Sequence, residues 1–368
     1  MTHKRTFAIF AIALVGVAIA CGKTGSGNNK TGTTGSNVDS SLLNIGNNII
    51  LPSYQNLASA VRSLDSAIAD FNTAPTETRL SNSQTLFKTA YIAWQSASAY
   101  NYFGPAYSAK PVLASINVFP TNSTLIDSNI AAGNSNVATF ANTAARGFPA
   151  LDYLLFGAGA NTLTGYTTDV AAANRQHYLA VVSTDIKTEV NAALTAWSSG
   201  GGNYIKTFIN GTGNSVSSSL GLLINSMDED LEILKNDRLG IPLGLIPVGV
   251  TSPVLPNEVE ARYSGISAQL ALSQAKALQR LYLGLNDYLV NAKATYNGGL
   301  LSDTIKATFI LEVAELQAIA DPMSQTIQTN PAAAQAAFNQ SQKLVALLKT
   351  DLPSALGVLI TYGDNDGD

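Results

Sequence analysis

The sequence predicts an all-α protein made of two helical-bundle-like halves. Three observations carry this. Apolar residues recur at i, i+3, i+4 through most of the chain from Ser41 onward. Few windows alternate with strand period, apart from Leu356-Gly357-Val358-Leu359-Ile360-Thr361-Tyr362. Gly200-Gly201-Gly202 breaks the pattern midway and sets a boundary between residues 41–200 and 201–368. The chain has 368 residues, 46% hydrophobic and only 12% charged, enough to bury one large core or two ordinary ones. Net charge is −4 and no basic run lies beyond the N-terminus, so nothing points to nucleic acid.

Residues 1–20 read as a signal peptide. His3, Lys4 and Arg5 form its basic region, and Phe7 to Ala20 is an apolar run too short to span a bilayer. Ala18-Ile19-Ala20 alone would serve ordinary signal peptidase and release a soluble protein. Cys21 in the next position fits a bacterial lipobox, in which the cysteine becomes the lipidated N-terminus. It is the one cysteine of the chain, so no internal disulfide competes for it. Lipidation at Cys21 would anchor the protein to a membrane of the bacterial envelope, facing the periplasm or the cell surface. The Gly/Ser/Thr/Asn-rich residues that follow, to position 40, read as a flexible tether.

Helices then follow in order. Leu42, Ile45, Ile49 and Ile50 lead into Leu57, Val61, Leu64 and Ile68, a stripe interrupted at Pro52. A second helix runs from about Thr76 to Tyr100, and Gly104-Pro105 breaks it inside an aromatic cluster, Tyr100, Tyr102, Phe103 and Tyr107, that suits a core. Residues 106–145 are irregular, with a helix start near Phe119-Pro120. Gly165 to Ser198 reads as one long helix that includes His177, better suited to packing or to the surface than to a metal or haem. Beyond the glycine run, Val216, Leu220, Leu223, Met227, Leu231 and Leu234 form a clean stripe. The charges between them, Asp228, Glu229, Asp230, Glu232, Lys235, Asp237 and Arg238, read as a solvated helix face. A Pro/Gly-rich connection from Leu239 to Pro256 precedes three helices, Ser264–Ala292, Leu300–Ala320 and Pro331–Leu348.

The stretch Arg146-Gly147-Phe148-Pro149-Ala150-Leu151-Asp152-Tyr153-Leu154-Leu155-Phe156-Gly157 is a short punctuated helix. Gly147 allows a sharp entry, Pro149 suits the first helical position, and Gly157 stops it. Asp152, in the first turns of an otherwise apolar helix, either balances the helix dipole or faces a site. This stretch resembles the signature of the imelysin-like family, Gly-x-His-x-x-Glu followed by an aromatic-leucine run and Gly. Here the motif positions are Gly147, Pro149 and Asp152, so the histidine is replaced by proline and the glutamate by aspartate. Further segments resemble the family's landmarks in order. They are Trp94 with Phe103-Gly104-Pro105, Val118-Phe119-Pro120 with Ile126 and Ile130, Leu239 to Gly244, Val259 to Ser264, and the ending Gly357 to Asp368.

The resemblance implies two helical bundles with a pocket where they meet, an envelope address, and a link to iron or haem uptake and to an outer-membrane transport partner. The founding description of the family is a metallopeptidase. A ligand pocket would then draw on Arg146, Gly147, Asp152, Glu260, Arg262 and Ser264. In it Asp152 would pair with Arg146 or Arg262, and Glu260 would be either a site acid or a surface acid. Ser264 could also cap the next helix.

Ligand count argues against zinc peptidase chemistry, which commonly needs two or three His or Cys ligands and an open position. Pro149 offers none, and without the signal peptide His177 is the single histidine. Asp364, Asn365, Asp366 and Asp368 begin like a calcium loop but lack a twelfth-position Glu, so a solvated acidic tail fits better. These residues favour a non-enzymatic binding or accessory lipoprotein, with iron or haem as the ligand the resemblance implies. The alternatives are a metal-dependent peptidase using carboxylate ligands and a purely structural or protein-interaction module.

Overall fold

Helix α1 (Gly35–Asn44) runs through a π-helical turn (Ile45–Ile50) into α2 (Leu51–Thr73), so Pro52 sits in the first turn of α2 where its missing N–H is harmless. The computed structural model describes residues 35–105, 115–246 and 253–361. Cys21, the tether as far as residue 34, Tyr107 and the acidic residues 362–368 lie outside them; residues 35–40, expected as the end of the tether, are helical in α1. Tyr54, Leu57, Ala58, Val61, Leu64, Ile68 and Phe71 make the buried stripe of α2. It packs against α3 (Glu77–Gln95), whose start is capped by the Thr76 hydroxyl. Next come α4 (Ser123–Ala131), capped by Asn122, and the signature helix α5 (Gly147–Phe156). Helix α6 (Ala172–Trp197) lies along α2 and touches α5. Trp197 closes this part of the core with Tyr54, Phe103, Tyr204 and Phe208.

The glycine run is a turn between α6 and α7 (Tyr204–Asn210). Helix α8 (Ser219–Ile233) continues as a π-helical segment (Leu234–Gly240). Helix α9 (Ser267–Ala292) packs on both α3 and α1. A two-residue hairpin pairs Thr295 with Leu300 and Tyr296 with Gly299, and its corner, Asn297-Gly298, has φ of 48° and 83°. Asn and Gly are the residues that tolerate those values. Helices α10 (Leu301–Gln317), α11 (Met323–Thr329) and α12 (Ala332–Ala346) follow. A π-helical segment (Leu347–Asp351) then leads into α13 (Leu352–Leu356). Residues 34–368 form one compact unit, and elements from before and after the glycine run share its core.

The fold is all-α among the described residues except for that hairpin. Several local expectations change. The helix expected from Gly165 starts at Ala172, after a separate turn at Thr164–Thr167, and Val170 is fully exposed. The alternating run near the end forms no strand among its described residues: Leu356 closes α13, Gly357 turns at φ 64°, and 358–361 have no regular structure. The largest change is at α8. Asp228, Asp230, Glu232, Lys235 and Arg238 are all buried, because α8 is covered by α9, α12 and the segment Ser98–Tyr100.

One buried acid stands apart from every site considered below. Glu312 on α10 is fully buried, accepts the Ser341 hydroxyl at 2.7 Å, and has a second oxygen without a hydrogen-bond partner. Burial pushes its carboxyl from 4.5 to about 8, with the nearby Glu315 adding to the rise. A raised acid favours the folded state while both states are protonated, and that contribution is lost as pH climbs from 4.5 towards 8. The Glu312 contribution should therefore weaken stability by ~1.4 kcal/mol per pH unit within that window. Glu312→Gln should flatten the pH dependence there. Urea unfolding of both proteins at pH 5, 6 and 7 checks this, and parallel curves would be the contrary result.

Candidate functional site

Glu260 is the centre of a buried polar cluster assembled from distant parts of the chain. It is 1% exposed, which removes the reading of it as a surface acid. Arg238, 3% exposed, donates through Nε to Glu260 Oε2 at 2.5 Å and through Nη2 to Oε1 at 3.2 Å. From α3, Gln95 Nε2 donates to Oε1 at 3.2 Å, and the Tyr91 hydroxyl lies 3.0 Å from Oε1 and 2.7 Å from Asn117 Oδ1. Asn117 Nδ2 donates to Oε1 at 2.8 Å, and Gln95 Oε1 accepts from Arg238 Nη2 at 3.1 Å. Burial alone would lower the Arg238 pKa, but the Glu260 carboxylate more than reverses this and holds the guanidinium charged. Burial, with the Glu260 charge, pushes the Tyr91 phenol well above its usual range.

The residues after Glu260 form a tight loop. Ala261 sits at φ 52°, a left-handed value that strains a non-glycine residue. The Tyr263 and Ser264 N–H groups donate to Asp152 Oδ2 and Oδ1 at 2.8 and 2.9 Å. The Arg262 guanidinium lies 4.4 Å from the Tyr263 ring centre and donates to its hydroxyl. Tyr153, next to Asp152, packs on the Tyr263 ring at 5.2 Å between centres.

Asp152 is the sixth residue of α5, beyond its first turn, and Pro149 is the third rather than the first. Asp152 therefore does not balance the start of its own helix; it caps the 263–264 loop. Burial pushes its carboxyl up to about 6, against the opposing pull of Ser264, the two backbone N–H groups and Arg262. Gly147 lets the chain enter α5 at φ 76°, where a Cβ would lie 2.2 Å from the Ile116 carbonyl oxygen. A narrow cleft of about 30 Å³ remains between Phe119-Pro120-Thr121, Pro149, Asp152 and the 257–263 loop. That is space for a water or two.

The imelysin family profile matches residues 50–350. The chain belongs to the imelysin family. Solved structures resemble it over 89% of this chain and 97% of theirs. One, from Parabacteroides distasonis, is provisionally named an iron-regulated protein A precursor (TM-score 0.71, 16% identity). Another is an imelysin-like protein from Psychrobacter arcticum 273-4 (TM-score 0.68, 21% identity). At such identities they show the shared fold. No curated protein matches the chain.

Within this imelysin-family fold, Asp152 joins the loop that carries Glu260, Arg262 and Ser264, while Gly147 lies at the entry of the helix that carries Asp152, against Ile116. Arg146 does not join them: its guanidinium grips Asp185 at 2.6–2.8 Å and approaches Glu189 on α6. Ser264 does not cap α9; Asp321 does, accepting the Ala268 and Gln269 N–H groups at 2.8 and 3.0 Å. His177 is exposed beside Ser135. Arg238, Gln95, Tyr91 and Asn117 were not anticipated as site residues.

The position where the family signature would place a metal does not fit one. Pro149 has no donor atom, and each Asp152 oxygen already accepts a backbone N–H. No group of three or more His, Cys, Asp or Glu suited to a metal occurs among the described residues.

Removing Glu260 alone strands a buried arginine. Glu260→Ala should cost about 3–5 kcal/mol in denaturant unfolding, whereas Glu260→Leu combined with Arg238→Met should recover most of that loss. A double variant as unstable as the single one would contradict this. Asp152→Ala should also destabilise, by about 2–3 kcal/mol, because it leaves two loop N–H groups without their carboxylate. Hydrogen exchange at the Tyr263 and Ser264 amides should rise in the same variant; unchanged protection there would show that the loop holds itself.

Proposed function

We propose that this imelysin-family chain is a non-enzymatic component of the bacterial cell envelope, anchored through Cys21, that acts as a binding or accessory protein in iron or haem acquisition. The observation that supports the non-enzymatic part is the use of the signature helix as a loop latch, with a donor-free Pro149 at the histidine position and each Asp152 oxygen accepting a backbone N–H. The iron link draws on family membership and on the name of the Parabacteroides structure. The envelope address draws on the sequence of residues 1–21. No described helix is long and apolar enough to cross a membrane, so attachment in this reading depends on the lipid.

The cleft beside Asp152 holds about 30 Å³, far less than a haem needs. Binding of a chelated iron or haem would therefore require the 257–263 loop to move, or would be shared with a transport partner at the surface.

The test is complementation of a deletion strain under iron limitation, with ferric iron and haem supplied separately. The wild-type gene should restore growth on at least one source, and Cys21→Ser, which loses the anchor, should not. Growth independent of the gene on both sources would reject the iron role. Neither the wild type nor Pro149→His combined with Asp152→Glu should cleave a peptide library in a chelator-sensitive way, since the double change supplies a single imidazole. Robust cleavage by the wild type would reject the non-enzymatic reading.

A further inference from the structure

Helix α10 packs on α9 and α12 and leaves its outer face uncovered among the described residues. Its buried side is already complete in Leu301, Ile305, Phe309, Glu312 and Leu316. Ile310 and Leu311 are nevertheless apolar, and each is 54% exposed. Ala307 and Ala314 are exposed beside them, so positions i, i+3, i+4 and i+7 form a second apolar stripe on the solvent side. Leu283 on α9, 45% exposed, widens it. The rings of Tyr282 and Phe309 stack at 5.4 Å, which sets their neighbours Leu283 and Ile310 at the same level. A single exposed leucine is ordinary, but a contiguous apolar patch marks a contact surface.

The order of residues on this face shows what it fits. Its centre lies between Ile310 and Leu311. Ala307 and Ala314 are equally far from that centre, and so are Lys306 and Glu315. A second α10 laid antiparallel on the first, about a two-fold axis through the centre, sets Ala307 against the partner's Ala314 at both ends. Those small side chains let the helices approach closely, and Ile310 and Leu311 of both copies fill the middle. The same rotation brings each Lys306 to the level of the partner's Glu315. Neither residue has an ion pair among the described residues. Parallel pairing would set lysine level with lysine and glutamate level with glutamate, so the charges select the antiparallel arrangement.

We infer that the outer face of α10 is the contact surface of a symmetric antiparallel homodimer, its partner being a second copy of this chain. The same patch is used on both copies, so the contact closes at two. It shares no residue with the Asp152 loop or the Arg238–Glu260 cluster, and it does not depend on the iron reading.

The experiment is analytical sedimentation of the full chain carrying Cys21→Ser, so that two lipid anchors cannot share one micelle. A monomer–dimer equilibrium is expected at micromolar concentration. Leu311→Glu should leave a monomer with unchanged circular dichroism, since the substituted side chain is on the surface. Lys306→Glu and Glu315→Lys should each weaken the dimer about fivefold, and the two together should restore it. That restoration separates a self-complementary contact from an apolar patch that takes some other partner. In the same background, Ile310→Cys should cross-link to its own copy with a short bis-maleimide. Phe140→Cys, exposed on the segment after α4, should not. A parent chain that stays monomeric at high micromolar concentration, a dimer that survives Leu311→Glu, a double swap no better than the single ones, or equal linking at both cysteines would overturn the inference.

Discussion

The buried pair Arg238–Glu260 is the constraint on which the rest of the central region depends. Two charges taken out of water cost several kcal/mol each unless their mutual attraction and further hydrogen bonds compensate. Here the compensation comes from four separate stretches. Tyr91 and Gln95 come from α3, Asn117 from the connection before α4, Arg238 from the π-helical segment after α8, and Glu260 from the loop before α9. None of these stretches can move without leaving a buried polar group short of a partner. That requirement also fixes where the Glu260 backbone lies, and so where Ala261, held at a strained φ, must start the next turn.

The signature helix gains its meaning from that frame. Once Glu260 is fixed, Tyr263 and Ser264 present two N–H groups in one direction, and a carboxylate opposite them is the natural partner. Asp152 supplies it. A carboxylate ligates a metal only with lone pairs that are not otherwise engaged. Each oxygen that accepts one N–H keeps a further lone pair, so the same residue type on the same helix face can serve as a ligand or a latch, and the missing donor at Pro149 is what favours the latch here. The stacked ring of Phe148 on Tyr91, 4.7 Å apart, joins this helix to the buried pair through apolar contact as well.

Much of the fold was legible in the sequence because helical period reports burial directly. The α2 stripe from Leu57 to Ile68 is buried as its spacing implies. The contact of the Asp152 helix with the loop that carries Glu260, Arg262 and Ser264 joins two segments that the family resemblance had singled out. What was not legible is the identity of the partners. Arg238 and Lys235 looked solvated because their sequence neighbours are charged. The environment of Arg238 is set by Glu260 and Gln95, 22 and 143 positions away, which local patterning cannot see; Lys235 pairs with Glu232 three residues before it, and what the sequence does not show is that this pair is buried. Arg146 was misassigned for the same reason: Asp185 is 39 residues away, on the next long helix. The Asn297-Gly298 corner is a different case. The Asn-Gly signal was present, but its flanking residues are too few to read as strands.

A chain with 12% charged residues that buries so many of them uses charge for position more than for solubility. The exposed pair Arg79–Asp70 is open to salt and contributes little. The interior acids behave differently. Burial lifts Asp152 and Asp230 to about 6 and the half-buried Glu229 to about 7, so each resists ionisation where it sits. Asp230 lies within reach of the Ser98 and Tyr102 hydroxyls, at 3.3 and 3.4 Å, which belong to the aromatic turn after α3. Two of these buried acids pin irregular segments: Asp152 the 263–264 loop, Asp230 the 98–102 turn. Apolar packing can bury those segments but cannot satisfy their N–H and hydroxyl groups, and the carboxylates are retained against their own desolvation because no hydrocarbon side chain could take their place.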